Sequence, residues 1–83
     1  MHLPVINLNG TARSDLLELY IDAKRALERA VTALNAAAPH GRDYQTYRDH
    51  DSTFYAAQRE HAERILMVRK VLSEIETIAE HLV

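Results

Sequence analysis

Leu16, Tyr20, Ala23, Leu27, Ala30, Leu34 and Ala37 recur at alternating spacings of four and three residues. His61, Ile65, Val68, Leu72, Ile75, Ala79 and Leu82 repeat that alternation, and Gln58 and Phe54 carry its register backwards. A period near 3.5 puts such residues on one stripe of an α-helix. Between the two seams stand Pro39 and Gly41, residues that end helices. The pattern predicts an all-α chain: a two-helix antiparallel hairpin with a short N-terminal arm, assembled into a helical bundle by homo-oligomerisation.

The expected single domain spans 1–83. Residues 1–11 read as an extended arm, because Pro4 blocks helix and Asn9-Gly10 is a turn signal. Helix 1 is expected over 12–38, with Thr11 as N-cap and Asp15 and Glu18 favouring the positive end of its dipole. Residues 39–52 form a connecting loop, longer than most helix–helix connections. Helix 2 is expected over 53–83, capped by Ser52 or Asp51.

Helices of this length reach roughly 40–45 Å and bury one stripe each when folded on one another. Leu17 and Val31 on helix 1, and Leu66, Val71 and Ile78 on helix 2, lie off the seams. Leu19, Ala26 and Ala33 run beside the first seam, on a face whose alanines allow close approach. These second stripes need another surface, and a homodimeric four-helix bundle or a larger ring supplies it. Small domains are marginal without such added burial.

Composition narrows the function. The chain has no cysteine, which excludes a disulfide framework and a cysteine-based zinc site. A net charge of −2 gives no positive field for tracking DNA phosphates. No apolar run is long enough for a membrane span, and Met1-His2-Leu3-Pro4 does not read as a secretory signal. A cytoplasmic protein is expected. The five histidines include no pair spaced three or four apart on a helix, so no metal site is expected. No nucleophile–base–acid layout, phosphate loop or carboxylate pair stands out, so neither an enzyme nor a cofactor is expected.

Three features carry possible ligand chemistry. Four of the five aromatics, Tyr44, Tyr47, Phe54 and Tyr55, cluster at the loop end, together with Arg42, Arg48, Arg59 and Arg64. Arginine forks match phosphate oxygens, and tyrosine faces stack on any base. The plainer reading is that the tyrosines pin the loop and the arginines pair with Asp43, Asp49 and Asp51. Second, His61 holds a seam position beside Glu60, with Arg64 one turn on. It would either donate to a ligand or satisfy a buried neighbour. Third, Asn9-Gly10-Thr11 precedes a helix, where free amides hold anions or are merely capped. In an antiparallel dimer, Thr11 of one subunit would approach the loop of the other.

The order Asn9-Gly10-Thr11, then Pro39-His40-Gly41-Arg42-Asp43-Tyr44, then Glu60-His61-x-x-Arg64 resembles a group of small phage and prophage proteins. Their pattern is N-G-T, an alanine- and leucine-rich helix, P-N-G-R-D-Y-Y, then A-x-x-E-H-x-x-R. His40 stands where asparagine is usual, and Gln45 where a second tyrosine is usual. By analogy with phage sponges for bacterial immune messengers, the resemblance implies an anti-defence protein in a bacterial host. It would sequester a cyclic nucleotide or ADP-ribose derivative without turnover. The ligand-binding set is then Asn9, Gly10, Thr11, Arg42, Asp43, Tyr44, Tyr47, His61 and Arg64. The alternative is a helical homo-oligomeric interaction or structural module with no small-molecule ligand.

Overall fold

The computed structural model describes residues 1–5, 12–44 and 50–83. Its first helix, α1, is Arg13–Ala36, and its second, α2, is His50–Leu82, with a 3-10 turn at Gly41–Tyr44 between them. The described part of the chain is all-helical, and α1 packs along α2 as a hairpin. The molecule is a rod of 63 × 20 × 16 Å.

Several boundaries move from their expected places. The capping position of α1 falls on Ala12, in extended conformation at φ −59° and ψ 146°, and no side chain caps the helix. Thr11, the expected cap, lies outside the described residues. At the other end α1 stops two residues early, at Ala36. Pro39 accounts for this: it lacks an amide hydrogen and biases Ala38 away from helical geometry. Ala37 N–H donates to the carbonyls of Ala33 (3.0 Å) and Leu34 (3.1 Å), and Ala38 N–H donates to Asn35 (3.3 Å), so the last turn tightens. Gly41 does not end the helix through left-handed geometry, since no described glycine has a positive φ. It begins the 3-10 turn instead, which makes part of the expected loop helical. Asp51 and Ser52, the expected caps of helix 2, sit inside the first turn of α2, because that helix starts at His50.

The seam of α2 is buried or half-buried at Phe54, His61, Ile65, Val68, Leu72, Ile75, Ala79 and Leu82, while Gln58 is exposed. On α1 the inward face includes the expected seam as far as Leu34 and is wider than it. Leu17, Ile21, Lys24 and Val31 are half-buried alongside Leu16, Tyr20, Ala23, Leu27, Ala30 and Leu34, whereas Ala37 is exposed. The bulkier Leu17, Ile21 and Val31 bury more apolar area against α2 than alanines would, and burial scales with that area. Ala26 and Ala33, on the line beside the seam, are left turned outward.

Only Ile78, Ala79 and Leu82 form a fully buried apolar core among the described residues. Ile78 was expected on an outer stripe. Three residues further along α2, His81 Nε2 meets the Pro4 carbonyl at 3.1 Å. That contact ties the start of the chain to the far end of α2. Leu19, Leu66, Met67 and Val71 remain 61, 64, 62 and 46 % exposed, apolar surface that one hairpin leaves in water. No helix among the described residues is long and apolar enough to cross a membrane.

Candidate functional site

The loop end is organised by stacked aromatics. The 3-10 turn packs against α2, and the Tyr44 ring lies 6.0 Å from Phe54, tilted by 52°. Phe54 lies 5.8 Å from Tyr55, tilted by 44°. Such tilted contacts suit the ring quadrupoles and hold the turn against the helix. Phe54 and Tyr44 are half-buried, while Tyr55 stays 59 % exposed. Within the turn, Arg42 N–H donates to His40 Nδ1 at 3.2 Å, and Asp43 N–H donates to the His40 carbonyl at 3.0 Å. His40 thereby serves the turn as an asparagine would. An imidazole nitrogen two residues before the amide replaces a carboxamide oxygen. The Arg42 and Asp43 side chains are exposed on this braced turn.

His61 has a different office from the one expected of a ligand group. It is 8 % exposed, and its Nε2 lies 2.6 Å from the carbonyl of Leu34. The proton on Nε2 makes this a donated bond to the last turn of α1, where carbonyls lack helical partners. Nε2 is thereby committed to the backbone, the satisfied-neighbour reading of this seam histidine. Arg64, one turn further on, pairs loosely with Glu60 at 3.8 Å, both largely exposed. Exposed pairs of this kind contribute about 0.5 kcal/mol at most. Arg64→Ala should therefore lower the unfolding free energy measured in urea by no more than about 0.5 kcal/mol, and a loss above about 1 kcal/mol would mark a buried role for the guanidinium.

Among the described site residues, Arg64 stands apart from Arg42, Asp43 and Tyr44 of the turn. Ten residues separate Phe54, on which the turn packs, from Arg64, which is about 15 Å along α2. Asn9, Gly10, Thr11 and Tyr47 lie outside the described residues. The start of α1 and the 3-10 turn stand at opposite ends of α1, about 36 Å apart. Tyr55 belongs with the candidates on exposure. It was visible in the aromatic cluster, but only the packing separates it from Phe54, whose ring is covered.

Two shallow depressions mark the surface elsewhere. One, of about 170 Å³, is lined by Leu17, Ile21, Lys24, Glu76, Ala79, Glu80 and Val83 at the terminal end. The other, of about 250 Å³, lies on α1 alone, over Leu16, Leu19, Tyr20 and Ala23. Neither touches the aromatic cluster. Among the described residues no group of three histidines or carboxylates is placed to hold a metal ion. The fold and this surface define a slender all-α hairpin with an arginine- and tyrosine-bearing turn. Comparison with protein-family models, with curated proteins and with solved structures found no match.

Proposed function

We propose that the chain works as a homo-oligomer that binds and sequesters a small phosphate-bearing nucleotide, a cyclic nucleotide or ADP-ribose derivative, without turning it over. In a phage setting such a protein would blunt a nucleotide immune signal of its bacterial host. The observation that carries this reading is the braced turn, which offers exposed Arg42 and Asp43 beside the Tyr44–Phe54–Tyr55 rings. Arg42 grips phosphate, Tyr44 and Tyr55 supply stacking faces, and Asp43 accepts from base or ribose edges. Asn9, Gly10 and Thr11 enter from a partner copy, and Tyr47 assists at the loop. Arg64 acts as a second cation on the rim. His61 keeps the place of a positioning residue, fixing α1 against α2.

Thermal unfolding against cyclic mononucleotides, cyclic dinucleotides and ADP-ribose derivatives tests this. A ligand at 100 times its dissociation constant adds about 2.7 kcal/mol of stability. Arg42→Gln should cut that response at least tenfold in apparent affinity while leaving the unliganded melt unchanged, and chromatography should return the nucleotide intact. A flat response across the panel, or a full response in Arg42→Gln, overturns the proposal.

One observation favours the alternative of a ligand-free interaction module. Leu66 is 64 % exposed and lies about 140° around α2 from Val71, so a single self-association face does not cover both. A flat nucleotide panel together with a stable oligomer is the result that reading expects.

A further inference from the structure

The exposed alanine side of α1 carries a charge pattern that selects its partner. Leu19, Ala26 and Ala33 are exposed along one line, with Ala23 and Ala30 half-buried beside them. At about 100° per residue this line sits some 120° around α1 from the stripe that faces α2. The same step puts Met67 and Val71, both exposed, on that side of the hairpin. The depression over Leu16, Leu19, Tyr20 and Ala23 opens there too. One apolar face thus spans both helices. On its outer edge stand Asp15 and Asp22 in the first half of α1 and Arg29 in the second, all exposed.

We infer that this face receives a second copy of the chain, with the two α1 helices antiparallel about a twofold axis at Ala26. The register follows from the edge charges. Antiparallel pairing about Ala26 sets Asp22 of each copy beside Arg29 of the other, giving two symmetric ion pairs at the rim of the apolar strip. Parallel pairing puts the Asp22 and Arg29 edges of the two copies on opposite rims of the strip, where neither charge meets a partner. Alanines at 23, 26, 30 and 33 let the backbones approach to the short end of the usual 8–10 Å. Leu19 of each copy then fills the space opposite Ala33 of the other, large against small. A further consequence joins this pairing to the proposed function, on which only this last point rests. The start of α1 in one copy comes beside Pro39 of the other, and so beside the Arg42 turn. Each copy completes the other's ligand end.

The chain has no cysteine, so introduced thiols report the register without interference. Ala26→Cys, at an exposed position, should cross-link to itself under mild oxidation. Leu19→Cys and Ala33→Cys should each stay uncross-linked alone and form a disulfide with one another when mixed. A parallel pair gives self-linked Leu19→Cys and Ala33→Cys and no mixed product, which overturns the inference. Sedimentation supplies the second arm. Asp22→Arg should weaken the dimer about tenfold, and adding Arg29→Asp should restore it. Failure of the pair to restore also overturns it. Neither arm involves nucleotide, so a wrong register and a wrong ligand class give different results.

Discussion

Leu82→Ala is expected to lose 2–5 kcal/mol of stability, about the usual range for truncating a leucine in a closed environment. Leu82 is 2 % exposed, the most buried large side chain among the described residues, of which only Ile78 and Ala79 share its core. Domains hold roughly 0.05–0.15 kcal/mol per residue, which gives a chain of 83 residues about 4–12 kcal/mol. A rod with three buried apolar residues belongs at the low end of that range. The substitution should therefore bring the protein near its unfolding midpoint at room temperature. Circular dichroism should register a large loss of helix at low protein concentration. Leu66→Ala provides the contrast, because Leu66 is 64 % exposed and its loss should cost no more than about 0.5 kcal/mol. If the two variants melted alike, the Ile78–Ala79–Leu82 cluster would not be the core. The stabilising burial would then lie elsewhere.

The location of that core shows where sequence reading succeeds and where it stops. The α2 seam is legible because Ile65, Val68, Leu72 and Ile75 are bulky and regularly spaced, so periodicity and burial point the same way. On α1 they diverge. Ala23, Ala30 and Ala37 fit the heptad as well as any residue, yet they offer little area. Ala37 stays exposed, and Leu17, Ile21 and Val31, off the seam, are half-buried together with Ala23 and Ala30. Periodicity finds a stripe; side-chain area decides which edge of it faces inward. The 3-10 turn was hidden for a related reason. Gly41 reads as a breaker, and the bond from Arg42 N–H to His40 Nδ1 that braces the turn depends on a ring orientation no spacing reveals. Of the aromatic cluster, the contacts of Tyr44, Phe54 and Tyr55 with one another were legible, since residues close in sequence stay close in space.

His61 gives the other large effect and separates the two roles a seam histidine can have. Its Nε2–H reaches the Leu34 carbonyl at 2.6 Å, bridging the last turn of α1 to the middle of α2. Leu34 also accepts from Ala37, so its carbonyl keeps one partner when the imidazole goes. In His61→Ala the ring's contacts and its bond vanish together, and a loss of about 2–3 kcal/mol is expected from the cavity and the missing bond. In His61→Leu the volume is largely kept and an apolar side chain fills the seam. The lost bond, about 1 kcal/mol, is then mostly offset by burial. Urea denaturation should accordingly rank wild type and His61→Leu close together, with His61→Ala well below both. Nucleotide binding, measured on the same proteins, should follow that ranking: near normal in His61→Leu and impaired in His61→Ala only as far as unfolding requires. A positioning role demands this coupling, because the carbonyl bond only holds α1 near the turn that bears Arg42. A ligand-contacting role demands the reverse, a stable His61→Leu protein that no longer binds. That result would return His61 to the ligand set and require its ring to leave the Leu34 carbonyl when ligand arrives.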